Sequence, residues 1–316
     1  MRYPPRVYTV VLNYVHTDDT IRCVSSVRGS SYRNQFLVVV DNGATPASTA
    51  ALRAAMPAVP ILSSRENLGY AGGNNIGIRY ALDREADLVW VLNPDTIVSP
   101  DTLSHLVEVM CRIPDTGITG GRILSAHDGS TILFNGGSID WDQGGRPFLP
   151  DMGKADADVP PGRLRAVEYI TGASMLVRRG VFDAVGLIPE RYFLYFEETD
   201  FNVRASRLGW RVLFEPRSRL SHFRRSWVGV ASPTYVYYFL RNRLLFAQSF
   251  TDYPVDSVEE EVRETSARMR RKLQAAHPGS LAAFDEIVAW AIADGRSGRE
   301  GPRTEIETIR WEPAGA

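Results

Sequence analysis

Four short apolar runs punctuate the first hundred residues at regular intervals. They lie within Tyr8 to Val15, Phe36 to Val40, Val59 to Leu62 and Leu88 to Leu92, and each ends in polar residues. Apolar runs of this length read as strands covered on both faces. Between and after them, Thr17–Val27, Ala47–Ala55, Asn74–Arg84 and Pro100–Cys111 read as helices, the last opened by Ser99 or Pro100. This alternation predicts an α/β fold with a mainly parallel, doubly wound sheet.

The rhythm breaks after residue 115. Residues 130–165 are rich in Gly, Pro and Asp and read as a loop with a hairpin around Asn135-Gly136-Gly137. Tyr169–Val177 is strand-like, and Glu197–Leu208 has helical spacing closed by Gly209. Arg211–Phe214 reads as a short strand ending at Glu215-Pro216. From Pro233 onward the pattern is helical, over Tyr235–Phe250, Val255–Ala276 and Ser280–Ala293. Residues 295–316 look loosely ordered. The expected division is a catalytic domain over 1–228 and a C-terminal helical extension over 229–316.

Composition narrows the class. The 316 residues are 44% apolar and 23% charged, enough for a large core. The net charge of −1 carries no global signal for nucleic acid, although Arg217, Arg219, Arg224 and Arg225 cluster locally. Cys23 and Cys111 lack metal or redox spacing and point to a reducing compartment. No signal-peptide core opens the chain, and no apolar run approaches the ~20 residues of a membrane span. The expected location is the cytoplasm, with peripheral contact at the inner face of the membrane left open.

The strand ends carry the candidate chemistry. The first four strands finish at Asn13, at Asp41-Asn42, before Arg65-Glu66-Asn67, and at Asn93-Pro94-Asp95. In a parallel sheet these ends share one edge, the edge at which open α/β sheets bind ligands. Asx turns alone would also explain polar strand ends. A carboxylate at Asp95 suits a nucleotide held through a metal. Asn67 to Gly77 is Gly-rich and enters a helix, which suits backbone approach to an anionic ligand or a tight turn. The dinucleotide fingerprint and the Walker pattern are both missing. Glu197, Glu198 and Asp200 open a helix behind Phe193-Leu194-Tyr195-Phe196. Acids there are favoured by the helix dipole, and a partly desolvated one is a candidate general base. His222 can complete a Mn²⁺ or Mg²⁺ shell begun by a carboxylate and phosphate oxygens.

Taken together, these segments resemble the family 2 inverting glycosyltransferases of GT-A fold, and most of all the bacterial rhamnosyl- and galactofuranosyltransferase-like members. The resemblance covers roughly residues 6–250 and rests on Val10–Tyr14, Val40–Gly43, Asn67–Asn75, Leu92–Thr96, Thr171–Met175, Tyr195–Ala205, His222 and Tyr237–Asn242. It implies a GT-A (Rossmann-like) sheet and a nucleotide-diphosphate sugar donor bound with Mg²⁺ or Mn²⁺. It implies that Asp41 contacts the nucleotide base with Asn13 near it. Asn67, Gly69, Tyr70, Gly73 and Asn74 would border the donor, together with Asn93 and Asp95. Asp95 and His222 would be the metal ligands and Glu198 the catalytic base, flanked by Glu197 and Asp200. Gly172 and Ala173 would shape the acceptor side. Two positions depart from the family pattern. Asn93 stands where an Asp is common, and Glu198 where Asp is commoner.

The resulting expectation is an enzyme moving a sugar from a dTDP- or UDP-sugar to a hydroxyl of a glycan, lipid-linked or small-molecule acceptor. A homodimer is left open. A non-catalytic sugar-nucleotide-binding protein is the rival from another class, and a nucleotidyltransferase is a weaker enzymatic rival. The aromatic and basic stretch Tyr235–Phe250, with Arg241 and Arg243, suits packing on the catalytic domain. It also leaves open contact with diphosphate or with lipid headgroups.

Overall fold

The computed structural model describes residues 4–223 and 230–312. Arg224, Arg225 and the expected boundary at 228/229 lie outside the described residues. The chain forms two compact units. One comprises Met1–Ser138, Phe148–Pro189 and Glu198–Phe223; the other comprises Ile139–Pro147, Glu190–Glu197 and Arg224–Ala316.

The first unit opens with β1 (Val7–Asn13), α1 (Thr17–Arg28), β2 (Gln35–Asn42), α2 (Pro46–Ala55), β3 (Ile61–Ser64), α3 (Gly69–Leu82) and β4 (Leu88–Leu92). All residues of β1 and β4 are buried, as two covered faces require. After β4 come β5 (Thr96–Val98), α4 (Thr102–Arg112), β6 (Thr116–Ser125) and β7 (Ile132–Phe134). Strands β8 (Ser138–Asp140) and β9 (Arg146–Phe148) pair only with each other. Then follow β10 (Arg165–Ala166), β11 (Ser174–Arg178), α5 (Arg179–Val185), α6 (Glu197–Arg207) and β12 (Arg211–His222).

The large sheet runs β10-β12-β6-β11-β4-β1-β2-β3, with β5 paired to β12 and β7 to β6. Strands β3, β2, β1 and β4 are mutually parallel, and β11 is antiparallel to both β4 and β6. That double reversal makes β6 and its parallel neighbour β12 run the same way as β4. The mainly parallel α/β sheet is therefore as expected, and the carboxyl ends of β1, β2, β3, β4 and β12 all meet one edge.

Three elements differ from the sequence pattern for identifiable reasons. Helix α3 begins at Gly69 and not at Asn74, so most of the Gly-rich run is helical. A Cβ at Gly73 would lie 2.5 Å from Leu12 Cδ1, and one at Gly77 would lie 2.4 Å from Val10 Cγ1. The missing side chains let the helix settle onto β1. Gly77→Val is expected to destabilise the fold by about 1–3 kcal/mol through overpacking, read as a lower urea midpoint.

Strand β6 has no apolar signature because Gly117, Gly120 and Gly121 interrupt it. A Cβ at Gly121 would meet the Ser218 carbonyl oxygen at 2.1 Å. That crowding comes from a register shift in β12 between Glu215 and Arg219, around Pro216. The Pro and the shift explain why the strand pattern stops at Glu215, whereas β12 continues to His222. The hairpin also sits later than expected. It joins β8 to β9 across Trp141–Gly145, while Asn135-Gly136-Gly137 links β7 to β8.

The second unit is built from α7 (Pro233–Phe250), α8 (Val255–Ala276), α9 (Leu281–Ser297) and α10 (Thr304–Thr308). Its core holds Tyr237, Tyr238, Leu244, Val258, Val262, Phe284 and Ile287. The tail is not loose through residue 312. Ile306 is fully buried, and Trp311 Nε1 donates to the Ala231 carbonyl at 2.7 Å. Asp294 is buried and accepts from Tyr237 Oη at 2.5 Å and from Arg303 at 2.6 Å. Burial would raise its carboxyl, but Tyr237 and Arg303 outweigh that and hold it below the ordinary range. Burial, with Asp294 beside it, pushes the Tyr237 hydroxyl up to about 12.

A depressed carboxyl stabilises the fold above the unfolded value of about 3.9, and that contribution is lost as pH falls through the lower folded value. Asp294→Asn is expected to cost about 1.5–3 kcal/mol at neutral pH. It should also remove this component of acid destabilisation, measured by urea unfolding across the acid range.

No described helix is long and apolar enough to cross a membrane.

Candidate active site

The chain leaves β4 through Asn93-Pro94-Asp95 and turns at once into β5. Three residues of β5 pair antiparallel with the end of β12, setting His222 opposite Thr96. This short pairing joins side chains 127 positions apart. His222 Nε2 donates to Asp95 Oδ1 at 2.8 Å, and Phe223 N donates to the Asp95 carbonyl at 2.8 Å. Burial would push the Asp95 carboxyl up. The hydrogen bond and charge of His222 prevail, with a smaller contribution from His16, and hold it below the ordinary carboxylate range.

With the proton on His222 Nε2 lost, the pair fits a divalent ion. Neighbouring ligands around an octahedral Mg²⁺ lie about 3 Å apart, close to the 2.8 Å between these two donor atoms. Among the described residues no three or more His, Cys, Asp or Glu side chains converge to hold a metal. The remaining ligands would have to come from an anionic substrate or water.

Asn13, Asp41 and Asn42 lie along the same edge. Asn13 Nδ2 donates to Asp41 Oδ1, and Ser48 and Thr49 donate to Asp41 Oδ2, each at 2.8 Å. Thr20 orients Asn13 through its side-chain oxygen at 2.7 Å. Ser48 also forms a reciprocal capping box with Thr45, so the start of α2 is what holds Asp41. A carboxylate has about four acceptor positions; the three hydrogen bonds here leave one. Asn42 links β2 to the next loop, donating to Asn67 Oδ1 and Gly69 O and accepting from Leu68 N. Gly73 and Asn74 lie within α3. Gly73 faces Leu12 and Asn42, and Asn74 Nδ2 donates to the Tyr70 carbonyl. Tyr14, about half exposed beside Gly43, is an aromatic face on this edge that the strand pattern did not single out.

The loop carrying Gly172 and Ala173 meets Tyr70 and Asn93 directly. Tyr70 Oη donates to the Gly172 carbonyl at 2.6 Å, and Asn93 N donates to the Ala173 carbonyl at 3.0 Å. Buried Asn202 ties α6 to Ile170, just before this loop. It accepts from Ile170 N, and donates to Ile170 O at 3.2 Å and to Glu198 O at 2.7 Å. Asn75 clamps both backbone groups of Ile188 in the same two-point manner. Neither amide stood out in the sequence, because each acts on backbone over 100 positions, or about 30, away. Asp200 is buried and pairs with Arg204 one helical turn on. Glu197 is buried, while Glu198 is partly exposed.

The segment entering α6 is strained. Phe193, Tyr195 and Phe196 have φ of 63°, 68° and 75°. Left-handed backbone costs a residue with a Cβ about 1–2 kcal/mol, so the surrounding contacts must hold it. Cys23 offers no nucleophile, since burial pushes its thiol up to about 12.

Residues 7–149 match Glycosyl transferase family 2. The low-salt glycan biosynthesis hexosyltransferase Agl10 of Haloferax volcanii is 30% identical over 204 residues, 63% of this chain and 61% of that protein. The N-acetylglucosaminyl-diphospho-decaprenol L-rhamnosyltransferase of Mycobacterium tuberculosis is 28% identical over 218 residues, 64% of this chain and 70% of that protein. Among solved structures, the mannosyltransferase PcManGT of Pyrobaculum calidifontis, in complex with GDP-Man and Mn²⁺, superimposes with a TM-score of 0.59. That alignment covers 95% of this chain and 89% of the other at 14% identity, a likeness of fold. The α/β architecture is thus of the GT-A fold, and residues 7–149, a little under half of the chain, are similar to Glycosyl transferase family 2.

Proposed function

We propose that this chain is an inverting glycosyltransferase that moves a sugar from a nucleotide-diphosphate donor to an acceptor hydroxyl. The observation that carries this reading is the meeting of Asp95 and His222 at the carboxyl edge of the sheet. Asp41 and Asn13 would take the nucleotide base, with Asn67, Gly69, Tyr70 and Asn93 bordering the donor. Asp95 and His222 would hold Mg²⁺ or Mn²⁺, which supplies charge neutralisation for the departing diphosphate.

Glu198 would take the proton of the acceptor hydroxyl as that oxygen attacks the anomeric carbon from the face opposite the diphosphate. One in-line displacement inverts the configuration. Gly172 and Ala173 would position the acceptor. The mycobacterial relative is named for transfer onto an N-acetylglucosaminyl-diphospho-decaprenol, which supports a lipid-linked glycan as the acceptor.

A thermal-shift and hydrolysis screen of UDP-, dTDP- and GDP-sugars with Mn²⁺ tests the reading. Donor-dependent stabilisation with slow hydrolysis is the expected result. Binding without any hydrolysis or transfer would favour a sugar-nucleotide-binding protein. Asp95→Ala is expected to weaken metal-dependent donor binding by at least about tenfold. Full activity of the unmodified chain in excess chelator would remove the metal from the mechanism.

A further inference from the structure

Helix α7 carries three consecutive buried polar residues, Arg241, Asn242 and Arg243, in a run of aromatic and aliphatic neighbours. Such groups are retained only where each donor finds an acceptor. Arg243 serves the β8–β9 turn and α8, donating to the Gln143 and Gly144 carbonyls and pairing with Glu261. Arg241 and Asn242 turn instead to the segment just ahead of α6. Asn242 Nδ2 lies 3.0, 2.8 and 2.8 Å from the carbonyl oxygens of Tyr192, Leu194 and Tyr195. Arg241 donates to the same Tyr192 carbonyl at 2.8 Å, to Gly301 O at 2.5 Å, and through Nε to Asn242 Oδ1 at 2.8 Å. The last bond fixes which way the Asn242 amide faces, so its donors point at the segment. The guanidinium itself is held over the rings of Tyr238 and Tyr237.

The three carbonyls belong to the stretch whose backbone is left-handed at Phe193, Tyr195 and Phe196. A short segment of that shape does not persist unaided. It is followed at once by Glu197 and Glu198. We propose that Arg241 and Asn242 are positioning residues for the transfer reaction, setting the Glu198 carboxylate by fixing the left-handed entry to α6. This deepens the reading of Glu198 as the base and rests on it. Arg241 and Asn242 touch no reacting atom. Their effect travels through the backbone of residues 192–197, and misplacing a base by about 1 Å can cost about 10²-fold in rate.

The experiment uses the full chain and whichever UDP-, dTDP- or GDP-sugar it hydrolyses with Mn²⁺. Asn242→Asp keeps the side-chain size but faces the three carbonyls with an acceptor. It is expected to lower kcat by about 10²-fold with nucleotide affinity unchanged. Combined with Glu198→Asp, which leaves a measurable rate, its effect should be clearly non-additive, because both changes act on one carboxylate. Wild-type kcat in folded Asn242→Asp, or strict additivity with Glu198→Asp, would overturn the proposal. If Asn242→Asp does not fold, Arg241→Lys takes its place in both measurements. Loss of fold in both variants also overturns the proposal, since the pair would then support the helices and not the base. Undiminished turnover in Glu198→Gln removes the base assignment itself, and is thereby told apart from failure of the clamp alone.

Discussion

Glu198→Gln is expected to lower kcat by about 10²–10⁴-fold, the usual contribution of a positioned general base, while nucleotide affinity stays near that of the unmodified chain. The amide preserves size and hydrogen-bonding reach but cannot accept the acceptor's proton. The surroundings make the comparison clean. Asn202 fixes the Glu198 carbonyl and the Ile170 backbone together, so the start of α6 stays tied to the segment before Gly172. Asp200, the next acid along that helix, is engaged with Arg204, and the preceding acid, Glu197, is buried. Single-turnover transfer and equilibrium nucleotide binding, measured on the same preparation, separate the chemical step from donor capture. Equal turnover in the variant and the unmodified chain would mean that another group takes the proton.

Arg122→Met is expected to cost about 3 kcal/mol, because it strips a buried acceptor and two loop carbonyls of their donor. Arg122 is fully buried on β6, and every nitrogen of its guanidinium is used. Nε donates to Asn135 Oδ1 at 3.0 Å, one terminal nitrogen to Asp156 Oδ1 at 2.6 Å and Val159 O at 3.0 Å, and the other to Pro160 O at 3.1 Å. Asp156 also pairs with Arg219 on β12. Burial would raise the Asp156 carboxyl, yet Arg219 and Arg122 hold it low. Methionine fills much of the volume but leaves Asn135 and two loop carbonyls without their donor. A typical domain has only about 5–15 kcal/mol of stability in total, so the midpoint in guanidinium chloride should fall by a large fraction. A shift no larger than that of a surface substitution would show that water replaces the guanidinium without penalty.

Strands β1, β2 and β4 were legible because covered parallel strands write themselves as apolar runs, whereas β3 showed only as the short Ile61-Leu62 pair at the sheet's edge. The edge they share was legible because their ends are polar. What was not legible follows from contacts made at long range. Strand β6 hid behind glycines whose reason, the Ser218 carbonyl above Gly121, lies about a hundred residues away. Strand β5 is three residues long, below any periodic signal, yet it is the strand that seats Asp95 beside His222. The Gly-rich run at 69–77 looked like a ligand loop; the reason for Gly73 and Gly77 is the approach of α3 to Leu12 and Val10. Arg241 and Arg243 suited a packed helix and also left open contact with phosphate or headgroups. They are buried and bound to carbonyls, which their spacing in an aromatic helix could not reveal. Glu198 and His222 drew notice as an acid opening a helix and a histidine after a strand, but the resemblance alone narrowed them to a base and a metal ligand, because a lone acid pair and a lone histidine carry little signal by themselves.

The β5–β12 pairing has a consequence for the birth of the protein. Asp95 and His222 are separated by 127 positions, and three paired residues near the far end of the sheet bring them together. At synthesis rates of about 5–20 residues per second, the histidine leaves the ribosome on the order of 6–25 s after the acid. During that interval β1 to β4 can assemble from local βα contacts, but the histidine that completes the pair is not yet made. Contacts so distant along the chain also form slowly. The Asp95–His222 pair is thus completed as one of the last acts of folding, and a nascent or partly folded chain holds no finished cradle for the proposed ligand.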